Sequence, residues 1–140
     1  MKFSEINREQ WGELQPYLDT CLLPVTGLKG EEAPWEMTEA LERLRNALDL
    51  VEIPFRGRTV TLPALHYPGE TPAEVAACID RVCRMAKQNG GFRYAVVVTA
   101  NSGLDLASCR EPDLVLPLAP GTENAEEAAA NAVLSLWSAR

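Results

Sequence analysis

The sequence predicts an α/β fold, specifically a three-layer α/β/α sandwich around a largely parallel sheet of four or five strands, mixed at a hairpin edge. Three observations predict it. Helical and strand patterns alternate along the chain, which is how parallel strands are joined by crossover helices. The run Ala95-Val96-Val97-Val98 has no polar interruption, as a strand covered on both faces requires. Residues 71–103 contain a complete unit of helix, stop, strand and polar loop. With 140 residues, the chain matches a single domain, 1–140, that buries enough surface to need no staples.

Taken in order, Asn7-Arg8-Glu9-Gln10 has the form of a capping box, followed by Trp11, Leu14 and Leu18 on one helical face, with Pro16 keeping the helix short. Thr20-Cys21-Leu22-Leu23-Pro24-Val25, bounded by Pro24 and Gly27, reads as the first strand. Pro34 suits the first turn of a second helix over residues 35–49, with Met37, Leu41, Leu44 and Leu48 on its inward stripe and Glu39 paired with Arg43. Val51, Ile53 and Phe55 then alternate with Glu52 and Pro54, and Val60 and Leu62 alternate with Thr59 and Thr61 across Arg56-Gly57. This reads as a hairpin, with residues 51–55 at the sheet edge because of Pro54 and residues 58–63 inside.

Thr71-Pro72-Ala73-Glu74 combines an N-cap, a proline at the first helical position and a reciprocal glutamate, so a helix starts there. Val75, Ile79, Val82 and Ala86 form its buried stripe, and Gly90-Gly91 stops it before the central strand. Leu114-Val115-Leu116-Pro117-Leu118 reads as the last strand. Thr122 or Asn124 caps a final helix with Ala125, Ala129, Ala132 and Leu136 inward, and Trp137 plugs the end of the core.

A net charge of −7 sets a long-range field that repels nucleic acid and anionic lipid, so no nucleic-acid partner is expected. Arg43, Arg45, Arg56 and Arg58 are the candidates for a local basic patch, against the simpler reading of solvated faces. The start of the chain has no signal-peptide core and no apolar run reaches membrane-span length, so membrane insertion is not expected and a cytoplasmic location is. Cys21, Cys78, Cys83 and Cys109 form no C-x-x-C unit and read as small core hydrophobes. No metal or other cofactor is expected.

Ligands of open α/β sheets bind beyond the carboxyl ends of the strands. That rule selects Thr26 with Gly27, His66 with Tyr67, and Thr99, Asn101 and Ser102 with Gly103, beside the helix start at Thr71 whose amides suit an anion. The competing reading is heavier: Asn-Ser-Gly is a common turn, and His66-Tyr67 before Pro68-Gly69 suits a structured loop. His66 is the one neutral-pH base; Ser102 or Cys109 beside it, with Asp105 as third member, is the only imaginable triad, and no spacing requires it. The glycines form neither G-x-G-x-x-G nor a Walker pattern. Arg56-Gly57-Arg58 suits an anionic ligand, a partner surface or simply a soluble turn, and Trp11, Trp35 and Trp137 are explained by core packing.

Tyr17-Leu18-Asp19-Thr20-Cys21-Leu22-Leu23-Pro24, Gly57-Arg58-Thr59-Val60-Thr61-Leu62-Pro63 with Tyr67, and Val97-Val98-Thr99 resemble the YpiF-like family of small uncharacterised bacterial proteins. The resemblance spans most of the chain and implies a soluble protein of Gram-positive spore formers, with no assigned activity, cofactor or catalytic residue. The expectation is a non-enzymatic α/β module acting through a protein partner or small ligand. The alternative is a small hydrolase or transferase using the rim of His66, Tyr67, Asn101 and Ser102, and a homodimer through the edge at residues 51–55 is a further expectation.

Overall fold

The computed structural model describes residues 1–139. After a single 3-10 turn, Phe3–Glu5, the elements run α1 (Arg8–Leu14), β1 (Thr20–Val25), α2 (Pro34–Glu52), β2 (Thr59–Thr61), α3 (Pro72–Gln88), β3 (Tyr94–Thr99), β4 (Leu114–Pro117) and α4 (Ala125–Ser138). The four strands form one sheet in the order β2-β1-β3-β4, and every pairing is parallel. The α/β class therefore stands as the sequence predicts.

Alternate residues of the strands feed two separate apolar clusters. Leu22, Val96 and Val98 pack with Leu44, Ala47, Leu48 and Val51 of α2 and with Ala129 and Val133 of α4. Cys21, Leu23, Val25, Ala95 and Val97 pack with Val75, Ile79 and Cys83 of α3, with Trp11 and Leu14 of α1 alongside. The handedness of parallel crossovers accounts for this. The chain moves outward from β1 to β2 and then back across β1 to β3, so two right-handed connections put α2 and α3 on opposite faces. Between β3 and β4 no helix forms; instead Leu104, Leu106 and Cys109 of the irregular segment 100–113 pack on the α3 cluster. Asp80 of α3 fastens that segment by accepting from the Arg110 and Glu111 amides at 2.9 and 3.0 Å, and Lys87 donates to the Glu111 carbonyl and pairs with Asp113.

The hairpin does not exist. Residues 51 and 52 continue α2, Ile53 caps it in helical geometry, and residues 54–57 turn the chain into β2. The reason is that Val51 and Phe55 also lie at helical spacing from Leu48, and the helix reading buries Val51 completely. Glu52, expected to point outward from an edge strand, is only 7% exposed. Its carboxylate accepts from the Thr61 hydroxyl at 2.7 Å and pairs with Lys2 at 2.9 Å. The mixed edge is thus replaced by an all-parallel sheet, and the strand edge on which a dimer was expected is absent. The edge of β2 is instead covered by residues 1 and 2: Met1 donates to the Thr59 carbonyl, the Thr61 amide donates to Met1, and Lys2 bridges Thr61 in parallel.

Two further details depart from the sequence reading. The inward stripe of α2 is Leu44, Ala47, Leu48 and Val51, while Leu41 is 43% and Trp35 65% exposed. Trp35 therefore is not a core residue. Trp137, in contrast, does close the core: its ring meets Phe55 edge-on at 5.1 Å, its Nε1 donates to the Thr20 hydroxyl, and the Arg58 guanidinium lies 4.2 Å above it. Arg58 also makes a two-pronged contact with Asp19 at 2.8 and 3.1 Å. Burial pushes the Asp19 carboxyl up, but the Arg58 and Thr20 hydrogen bonds outweigh it and hold the carboxyl below its ordinary value. Arg58 is thus part of the scaffold at the amino ends of the strands, away from the rim at their carboxyl ends.

Candidate functional site

The connections leaving β1 and β3 run to opposite sides of the sheet, β1 through α2 to β2 and β3 to β4. Two neighbouring parallel strands whose connections diverge leave a crevice beyond their carboxyl ends, because no chain crosses between them there. A cleft of about 390 Å³ opens at this position, within the range of small-molecule sites. Thr26 and Gly27 after β1 and Asn101 and Ser102 after β3 form its floor; Glu32, Glu36, Ala40 and Arg43 form the wall on the α2 side.

The floor is held by a short relay of hydrogen bonds. Thr26 Oγ1 and His66 Nδ1 lie 2.7 Å apart, and the Asn101 amide Nδ2 reaches the carbonyls of Thr26 and Gly27, each at 3.4 Å. Asn101 Oδ1 in turn accepts from the Gly103 amide at 2.9 Å, and the Thr99 hydroxyl accepts from the Asn101 amide at 3.2 Å. Gly27 has to be glycine: its φ is +76°, and an added Cβ would stand 2.9 Å from Asn101 Nδ2.

His66 reaches Thr26 through an irregularity in the sheet. Leu22 pairs with Thr61, but three residues later Val25 pairs with Leu65, so the β2 side carries one extra residue around Pro63. Proline has no amide to give the ladder, and such a bulge re-aims the side chains beyond it. The Thr26 amide donates to the Leu65 carbonyl and the Leu28 amide to the His66 carbonyl, which fixes the two loops together.

Of the residues singled out from sequence, the structure brings Thr26, Asn101 and Ser102 to the cleft and ties His66 and Thr99 to them from behind. Tyr67 does not join: it is 60% exposed and lies outside the cleft lining. The helix start at Thr71 does not join either, since none of its residues lines the cleft. The Glu74 amide donates to the Thr71 hydroxyl, and the Glu70 amide to the Glu74 carboxylate.

Sequence reasoning missed Glu32 and Glu36, and read Arg43 only as the partner of Glu39 and a member of a basic patch. The available signal was the spacing of Glu36, Ala40 and Arg43, which places them on one helical face. Both glutamates fold back on the chain. Glu32 accepts from the Lys29 and Gly30 amides at 2.9 and 2.8 Å, and Glu36 accepts from the Ala33 amide at 2.9 Å. The Lys29 amide leads the interactions that hold the Glu32 carboxyl below its ordinary value, so it is ionised at neutral pH. Pro34 contributes no amide at all. In the loop from β1 to α2, whose counterpart in phosphate-binding sheets presents free amides, the Lys29, Gly30 and Ala33 amides are occupied by the protein's own carboxylates.

The cysteines carry no reactive chemistry into this site. Burial pushes the Cys21 and Cys83 thiols up to about 12, and it raises Cys109 as well. No cluster of three or more histidine, cysteine, aspartate or glutamate side chains is placed to hold a metal among the described residues. No helix among them is long and apolar enough to cross a membrane. Comparison with protein-family models, with characterised proteins and with solved structures finds no match, so the resemblance to YpiF-like proteins rests on the short motifs quoted for it.

Proposed function

We propose that this chain is a non-enzymatic α/β module that binds a small polar ligand in the cleft between the ends of β1 and β3. The observation that carries this reading is the coincidence of the topological switch point with a cleft of about 390 Å³ floored by Asn101 and walled by Glu32, Glu36 and Arg43. His66, the one side chain suited to proton transfer at neutral pH, supports the Thr26 hydroxyl and is not among the residues lining the cleft. Asn101 spends its side chain on holding the two loops in register. A floor whose polar side chains already hold one another, with no free proton-transfer group among them, suits recognition more than turnover.

The occupied Lys29, Gly30 and Ala33 amides weigh against a phosphate cradled by this loop, because Glu32 and Glu36 already take those donors. The test is a thermal-shift screen of metabolites on the full chain and on Ala40→Phe, which adds bulk to the cleft from its α2 wall. Compounds that raise the melting temperature of the native protein and leave the variant unmoved support the reading. If the screen yields only compounds that act equally on both, the cleft is not the binding site.

A further inference from the structure

We infer that the ligand of this cleft is a small zwitterion, carrying an ammonium group and a carboxylate separated by a short chain. The inference rests on the cleft being the binding site and concerns the chemistry its walls select. Along one face of α2 the wall reads Glu36, Ala40, Arg43, with Glu32 beside Glu36. Seven residues of helix separate Glu36 from Arg43, about 10 Å along the axis, and both side chains are long enough to close part of that gap. Negative charge therefore stands on the side of Gly27 and Asn101, and positive charge on the side of Ala119 and Pro120.

Each charged group has capacity left. Glu36 uses one oxygen on the Ala33 amide, and its other oxygen is open to an ammonium donor. Glu32 accepts one amide at each oxygen, which leaves further lone pairs. Arg43 approaches Glu39 only at 3.9 Å, between half-exposed side chains, so a ligand carboxylate would be its better partner. The methyl group of Ala40, between the two poles, leaves room for the ligand's chain, and Leu44 and Ala100 offer it an apolar surface.

Calorimetric titration of the full chain with γ-aminobutyrate, butylamine, butyrate and inorganic phosphate tests this. The zwitterion should bind at least about tenfold more tightly than either singly charged analogue, as two charge-assisted contacts exceed one. Arg43→Gln should reduce γ-aminobutyrate to the affinity of butylamine, and Glu36→Gln should reduce it toward that of butyrate. Glutamine keeps the capping bond at Ala33, so unchanged melting temperatures would show both variants folded. Equal affinity for zwitterion and amine, tighter binding of phosphate, or no binding by any of the four probes overturns the inference. If the four probes fail but a metabolite binds the native protein and not Ala40→Phe, the charge selection alone falls and the cleft stands as the site; if neither the probes nor the metabolite screen yields a binder that Ala40→Phe abolishes, both fall.

Discussion

At the residue scale, the site depends on two positions that do little elsewhere. Gly27→Ala forces a side chain into left-handed backbone and against Asn101, so a loss of about 1–2 kcal/mol is expected, read by urea denaturation. Asn101→Ala should cost less in stability, since its two bonds to carbonyls are long, but it should weaken ligand binding more, because it loosens the loops flooring the cleft. Glu52 is the sharper stability test. It is buried with Thr61 and pinned by Lys2, so Glu52→Ala should cost about 1–3 kcal/mol, whereas Lys2→Ala, at a half-exposed side chain, should cost about 1 kcal/mol or less. Equal losses for the two would mean that the ion pair, and not the buried hydrogen bond to Thr61, carries the contribution.

At the element scale, legibility followed local determinism. The start of α3 was readable because Thr71, Pro72 and Glu74 each act within one turn, and the Thr71 hydroxyl does accept from the Glu74 amide. Thr71→Ala should accordingly cost about 1 kcal/mol in thermal denaturation. The end of α2 was not readable. Val51, Ile53 and Phe55 satisfy a period of two, but Leu48, Val51 and Phe55 satisfy a helical period equally well, and what decides is the cluster that buries Val51 with Leu22 and Val98. Glu52 misled for the same reason, since an acid in an alternating run looks solvent-facing until a Thr61 on another strand is brought to it. In the candidate site, Thr26, Asn101 and Ser102 were legible from the strand-end rule. Glu32, Glu36 and Arg43 were not, because their contribution comes from which face of α2 the crossover turns toward the switch point.

At the scale of the whole molecule, ionised carboxylates tie the chain together on the β2 side of the sheet. Asp19 with Arg58 and Thr20, and Glu52 with Thr61 and Lys2, have hydrogen bonds that outweigh burial and lower their folded-state pKa values. A lowered carboxyl pKa contributes stability that is present above the unfolded value and is lost as pH falls through the folded one. The melting temperature should therefore hold at neutral pH and decline below about pH 4, and Asp19→Asn should flatten part of that decline. The parallel topology separates scaffold from cleft: contacts of Arg58, Asp19 and Trp137 sit at the amino ends of the strands, and the cleft sits at the carboxyl ends. The central claim, that the cleft between β1 and β3 is where this protein meets its ligand, is tested most directly by amide-resolved NMR titration of the labelled full chain with a compound that raises its melting temperature. Saturable shifts centred on Gly27, Asn101, Ser102, Glu36 and Arg43, absent in Ala40→Phe, are the predicted result; saturable shifts centred elsewhere, with those five amides unmoved, would contradict it.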